Sequence, residues 1–127
     1  MYISIDGDSV GTRLQQLILE EKLEELRHFS ESIKDTIFRF VQCIEEHDGV
    51  IYMNGGDNIF AECTRNCAQI VAESVCMENR KGFVYYSLAV AENVRDTYIG
   101  LKYAKSSKLH YIEVVREDKE VIFRCML

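Results

Sequence analysis

A mixed α/β (α+β) domain, with a mixed sheet and helices packed mainly on one face, is predicted by three features of this 127-residue chain. The elements read strand, helix, helix, strand, strand, helix, strand, helix, strand, strand. One pair of strands is joined by a tight glycine-rich turn, which puts an antiparallel hairpin into the sheet. The other strands are separated by helical patterns, which adds crossover connections. The length suits one core, and no Pro- or Ser-rich linker, internal repeat or low-complexity segment divides residues 1–127.

The first strand is Met1 to Asp6, MYISID. Ser9 is placed to cap a helix that starts near Val10, with Leu14, Leu17 and Ile18 at helical spacing. The apolar phase shifts between Leu19 and Lys22, which predicts a break. A longer helix follows from about Leu23 to His47. Its apolar stripe is Leu26, Phe29, Ile33, Ile37, Phe40, Val41 and Ile44, and Asp48-Gly49 ends it as a glycine cap. Val50 to Met53 and Asn58 to Cys63 form the hairpin, with Asn54, Gly55 and Gly56 supplying positive φ in the turn. Thr64 introduces a helix near Arg65 to Asn79. Gly82 leads into Phe83 to Ala91, a β-prone run. A helix over Val94 to Ser107 buries Val94, Tyr98, Leu101 and Ala104. Tyr111 to Val115 and Val121 to Cys125 are the last strands, joined by a turn at Glu117 to Lys119. A ferredoxin-like split βαβ core fits this order. In such a core the end of the first strand adjoins the hairpin turn.

The net charge of −6 argues against stable binding to a nucleic-acid backbone, which favours basic surfaces. It leaves room for a mononucleotide, whose triphosphate a cation and a few lysines can neutralise. Five cysteines, an odd count, together with no basic, apolar leader at the N-terminus, predict reduced thiols in the cytoplasm. No apolar run approaches the ~20 residues that a membrane span needs, so no membrane partner is expected. Cys63 and Cys67 have the look of half a zinc site, but no second ligand pair has matching spacing, and small core residues is the plainer account.

Two acidic turns stand out. In Gly49 to Cys63, GVIYMNGGDNIFAEC, the carboxyl group of Asp57 sits at the hairpin tip. Taken alone, Asp57 is a turn residue. The first strand, however, ends in Asp6-Gly7-Asp8 before a helix. Two acidic strand ends, each beside glycine, can converge on a divalent cation. Mg²⁺ takes oxygen ligands and is commonly held by one or two carboxylates plus substrate phosphates. Gly7 lets its carbonyl approach as a further oxygen.

With IDGDSVG at residues 5–11 and NGGDN at 54–58, the chain resembles the palm domain of GGDEF-type nucleotide cyclases and of the type III CRISPR large-subunit polymerase. It is most similar to the minimal CRISPR polymerase family, in which a palm stands almost alone. The likeness covers nearly the whole chain and includes a late helix with Ala104-Lys105. It implies a nucleotidyltransferase that makes a cyclic oligonucleotide second messenger, a cyclic di- or oligoadenylate from ATP, by two-metal catalysis with Mg²⁺ or Mn²⁺. Asp6 and Asp57 match the catalytic, metal-binding acids, and Gly7 matches a backbone ligand. Asp8, Ser9, Val10, Gly11, Gly55, Gly56 and Asn58 fall on the substrate-binding turns. Lys105 matches the phosphate-binding lysine, against the plainer account of a lysine reaching past the sheet edge to solvent. Lys102 and Lys108 are assigned to solvent, as are His28, His47 and His110. Asn58 departs from the family's second acid. The resemblance further implies a homodimer, a separate effector protein that reads the product, and antiviral signalling. A mononucleotide cyclase and a nucleotide-binding regulatory module without turnover are the competing readings.

Overall fold

Ten elements make up the computed structural model, which describes residues 1–127 throughout. They are β1 (Tyr2–Gly7), α1 (Val10–Leu19), α2 (Leu23–Glu46), β2 (Val50–Asn54) and β3 (Asn58–Glu62). Then come α3 (Arg65–Asn79), β4 (Tyr86–Ala91), α4 (Val94–Ser107), β5 (Tyr111–Glu117) and β6 (Glu120–Cys125). The order of elements is the one that the hydrophobic pattern predicts.

The strands form one six-stranded sheet in the order β2-β3-β1-β4-β5-β6. β1 is central and antiparallel to both β3 and β4, while β4 and β5 are parallel. The first four strands thus form the ferredoxin-like, palm-type arrangement, and α4, β5 and β6 extend it. Alternation along β1 sorts its side chains between the two faces. Ile3 lies opposite Ala61 and Val90, and Ile5 opposite Ile59 and Leu88. These residues join Ile33, Ile37, Phe40 and Ile44 of α2 and Val71 and Val75 of α3 in the main core. Three helices, α1, α2 and α3, belong to that face. On the other, α4 rests on Ala91, Ile112 and Val114 through Ala104. No helix is long and apolar enough to cross a membrane.

Local details differ from the sequence reading in five places. Ser9 precedes α1 but makes no capping hydrogen bond, because its backbone is left-handed (φ 59°) and turns the hydroxyl away. At the end of α2 it is Asp48 that takes positive φ (62°), not Gly49. Gly49 is needed for space instead, since a Cβ there would lie 2.8 Å from the Ile44 carbonyl oxygen. In the hairpin turn only Gly56 has positive φ (92°), and the Asn54 side chain accepts from its N–H at 3.2 Å. Strand β4 begins at Tyr86 rather than Phe83. Asn79 sets that start: its amide accepts from Tyr86 N at 2.7 Å and donates to Tyr86 O at 2.9 Å.

The fifth difference is the buried stripe of α4. Val94 and Tyr98 are exposed, Ala104 is buried as expected, and Thr97 and Gly100 face the sheet with it. The helix packs close through small residues: a Cβ on Gly100 would come within 2.6 Å of Val114 Cγ2 and 3.1 Å of Ala89 Cβ. Larger apolar residues could not occupy that line without lifting the helix. Cys63 and Cys67 lie in the main core, and burial pushes the Cys63 thiol up to about 12, away from the thiolate that zinc requires.

The Asn79 amide also donates to the Tyr111 hydroxyl at 2.8 Å, so one buried side chain joins α3, β4 and β5. Asn79→Ala leaves the Tyr86 backbone groups without partners. Unfolding by urea should show a loss of about 2–4 kcal/mol, since each orphaned buried group costs about 1–3 kcal/mol. A loss below about 0.5 kcal/mol would show that water replaces the amide.

Candidate active site

The end of β1 and the start of β3 are neighbours because the two strands run antiparallel, with Asp6 opposite Asn58. One residue further, Gly7 N donates to Asp57 O at 2.9 Å. A side chain at Gly7 would press on α1, since a Cβ there would meet Val10 Cγ2 at 2.7 Å, whereas Tyr86 at 3.4 Å and Asp57 O at 3.6 Å would be ordinary contacts. The main chains at Asp6-Gly7 and Asp57-Asn58, far apart in sequence, are therefore one locus.

The carboxylates at this locus have different surroundings. Alternation puts Asp6 on the α4 face, where Lys105 Nζ forms an ion pair with its Oδ2. The same ammonium lies 3.8 Å from Asp8 Oδ1. Asp8 is also held by Ser87, whose hydroxyl donates to its two oxygens at 3.1 and 3.2 Å. Ser87 is fully buried, and a buried hydroxyl needs such a partner. His110 Nδ1 lies 3.5 Å from Ser87 Oγ and 3.6 Å from Asp8 Oδ2. The His110 ring stacks on Tyr85, with centroids 5.8 Å apart and planes 19° apart.

Asp57 lines the other side of the locus. Its Oδ1 accepts from Asn58 Nδ2 at 3.4 Å. Asn58 Oδ1 is buried and has no partner. The Asn58 amide packs under the turn, where a Cβ on Gly55 would come within 3.0 Å of it. Structure thus brings Asp6, Asp8 and Lys105 together directly. It joins Asp57 to them through the backbone at Gly7.

Two depressions flank this junction. A groove of about 680 Å³ runs between α1, α2 and the hairpin turn. Val10, Leu14, Ile33, Ile37, Phe38 and Val41 give it apolar walls, and Gly11, Gly55, Gly56 and Asp57 form one end. A second cleft of about 600 Å³ is lined by Asp8, Ser9, Tyr85, Lys105, Lys108 and His110. His110 and Lys108, assigned to solvent on sequence grounds, belong to this cleft. Ser87 and Tyr85 were not singled out at all. The available signal was Ser87 itself, a hydroxyl inside the apolar run FVYYSLAVA.

The groups that the chain offers around this junction, the carboxylates of Asp6 and Asp57 and the Gly7 carbonyl, are oxygen ligands. That suits a hard cation such as Mg²⁺ or Mn²⁺. No group of three or more His, Cys, Asp or Glu side chains gathers anywhere in the chain, so the protein forms no complete cage. Mg²⁺ is usually held without one, by one or two carboxylates, water and substrate phosphates. Asp6 and Asp57 do not converge on one cradle, however: Asp6 faces α4 and is paired with Lys105, while Asp57 borders the groove on the α2 side, so an ion shared by both would require these side chains to turn towards the Gly7 junction.

No curated protein and no solved structure matches the chain. The family described as the minimal CRISPR polymerase domain (mCpol) matches residues 2–115, from β1 into β5. That span includes both acidic turns, α4 with Lys105, and both depressions. A CRISPR-associated, nucleotidyltransferase-like polymerase role goes with the family. On this match the chain belongs to the minimal CRISPR polymerase family.

Proposed function

We propose that the domain joins nucleoside triphosphates into a cyclic di- or oligonucleotide and releases pyrophosphate, with ATP the favoured substrate. The observation that carries this reading is the Gly7–Asp57 junction, with an apolar groove bordered by Asp57 on one side and a lysine-lined cleft bordered by Asp8 and Lys105 on the other. A nucleotide has one flat apolar end and one anionic end, and ligand sites pair apolar walls with a few placed polar groups. The groove under Phe38 and Ile37 takes the base. The lysine-lined cleft takes phosphates.

Asp6, Asp57 and the Gly7 carbonyl would hold Mg²⁺ or Mn²⁺, which when bound would supply charge neutralisation and Lewis-acid stabilisation of the reacting phosphates. The chain's own groups do the rest. Asn58 donates to Asp57 and fixes the direction of that carboxylate. The backbone at Ser9, Val10, Gly11, Gly55 and Gly56 borders the phosphates, and the free N–H groups that begin α1 favour anions there. Asp8, held by Ser87, keeps this turn in place. Lys105 leaves Asp6 for the phosphates as they arrive. Joining two nucleotides needs a hydroxyl of one in line with the α-phosphate of the other, and one palm offers one such site. A second copy facing the first across a twofold axis supplies the partner nucleotide. The product then signals to a separate effector in antiviral defence.

Incubation with each of the four nucleoside triphosphates and Mg²⁺, followed by mass spectrometry, tests the reading. A cyclic product with two or more nucleotides and matching pyrophosphate supports it. A cyclic mononucleotide makes the domain a single-nucleotide cyclase, and no consumption leaves a binding module. Asp57→Asn should reduce product to background while the thermal transition stays close to that of the parent protein, because a turn acid has little packing to lose.

Lys105→Met has two effects of opposite sign. In the absence of nucleotide, Mn²⁺ binding measured by electron paramagnetic resonance should tighten, because no ammonium competes for Asp6. Turnover of ATP should fall, and by far more than in Lys102→Ala, since a neutral side chain cannot replace a charge-assisted bond to phosphate. Unchanged Mn²⁺ affinity would mean that the ion does not use Asp6. Initial rates across a dilution series check the second copy: the rate per mole should fall at low protein concentration, and a constant value in a monomeric protein rules the pair out.

A further inference from the structure

We infer that Tyr85, Lys108 and His110 form a dedicated pocket for the two terminal phosphates of the triphosphate, the pair that departs as pyrophosphate. This rests on the nucleotidyl-transfer reading and assigns residues that it does not use. In that reaction a ribose hydroxyl oxygen bonds to the α-phosphorus, the bond from that phosphorus to the bridging oxygen breaks, and the hydroxyl proton passes to solvent. The electron pair and the negative charge go to the departing pyrophosphate. That charge needs a cationic place beside the Asp6 locus, on the side away from the base.

The second cleft has that position and that chemistry. Lys105 and Asp8 border both it and the ion pair with Asp6. Lys105 is therefore the boundary between the α-phosphate position and the cleft beyond. Lys108, exposed at the C-terminal end of α4, also lines the cleft and has no carboxylate within ion-pair distance. In a chain of net charge −6, an unpaired lysine over a concave surface is available to an anion. The His110 ring is fixed on one side by Tyr85 and has Nδ1 turned to Ser87 and Asp8. Its Nε2 edge is the one left for the cleft. Tyr85 is half exposed and its hydroxyl has no protein partner.

Lys108 ends α4 in the left-handed conformation, with φ of 60°, which glycine adopts without strain.

Lys108→Gly provides a test that misfolding cannot confuse, because glycine relieves the left-handed backbone. Its melting temperature should equal or exceed that of the parent protein. Calorimetric titration with tripolyphosphate, pyrophosphate, AMP and a non-hydrolysable ATP analogue then reads the pocket. In Lys108→Gly the affinities for tripolyphosphate and the ATP analogue should fall about tenfold, the loss typical of one charge-assisted contact, with AMP unchanged. Tyr85→Phe should give a smaller loss in the same two ligands. Parent-like affinities in both variants, or an equal loss for AMP, overturn the assignment. If tripolyphosphate binds through Lys108 but no nucleoside triphosphate is consumed, the pocket stands and the polymerase reading fails. If Lys108→Gly turns over ATP with unchanged KM, the pocket fails and the reading stands.

Discussion

A single backbone hydrogen bond, from Gly7 to Asp57, sets the site. It lies at the end of β1, where a Cβ would press on the Val10 side chain at 2.7 Å. It also fixes the register between β1 and β3, since a slip by one residue would exchange the faces of Ile3 and Ile5 with those of Ser4 and Asp6. The core and the candidate site are thus specified by the same pairing. Ile5 can be fully buried only when Asp6 faces α4.

Electrostatics at this locus is local rather than global. The chain is acidic overall, yet Lys105 bridges Asp6 and Asp8 and Lys108 stands beside them. Asn58 belongs to the same balance. A carboxylate in its place would lie against Asp57 with little solvent around it. The amide instead donates to Asp57 and leaves one carbonyl oxygen buried without a partner. An acid is exchanged for a group that steadies another acid and keeps an oxygen turned inward.

Much of this was legible in the sequence, for identifiable reasons. Helix α2 shows its stripe because Ile33, Ile37, Phe40 and Ile44 are large and regularly spaced. The stripe of α4 is misread because the helix packs through Gly100 and Ala104, and small residues give little amphipathic contrast. The start of β4 is hidden because a side chain, Asn79, holds it rather than a neighbouring strand alone. Asp6, Asp57 and Lys105 are visible through short motifs. Tyr85, Ser87, Lys108 and His110 are not, because three separate segments supply them. Only the pairing scheme unites them: β1 ends where β4 and β5 begin.

The placement of α4 on its own face has a topological consequence. The connections β3-α3-β4 and β4-α4-β5 join parallel strands and step across the sheet in the same direction. Their helices nevertheless lie on opposite faces. The two crossovers are therefore of opposite hand, although nearly all such connections in proteins are right-handed. Had both shared one hand, α4 would have joined α3 on the crowded face. Asp6 and Asp8 would then look out from a bare sheet with no lysine above them. The uncommon hand gives this small palm a roof over Asp6 and Asp8.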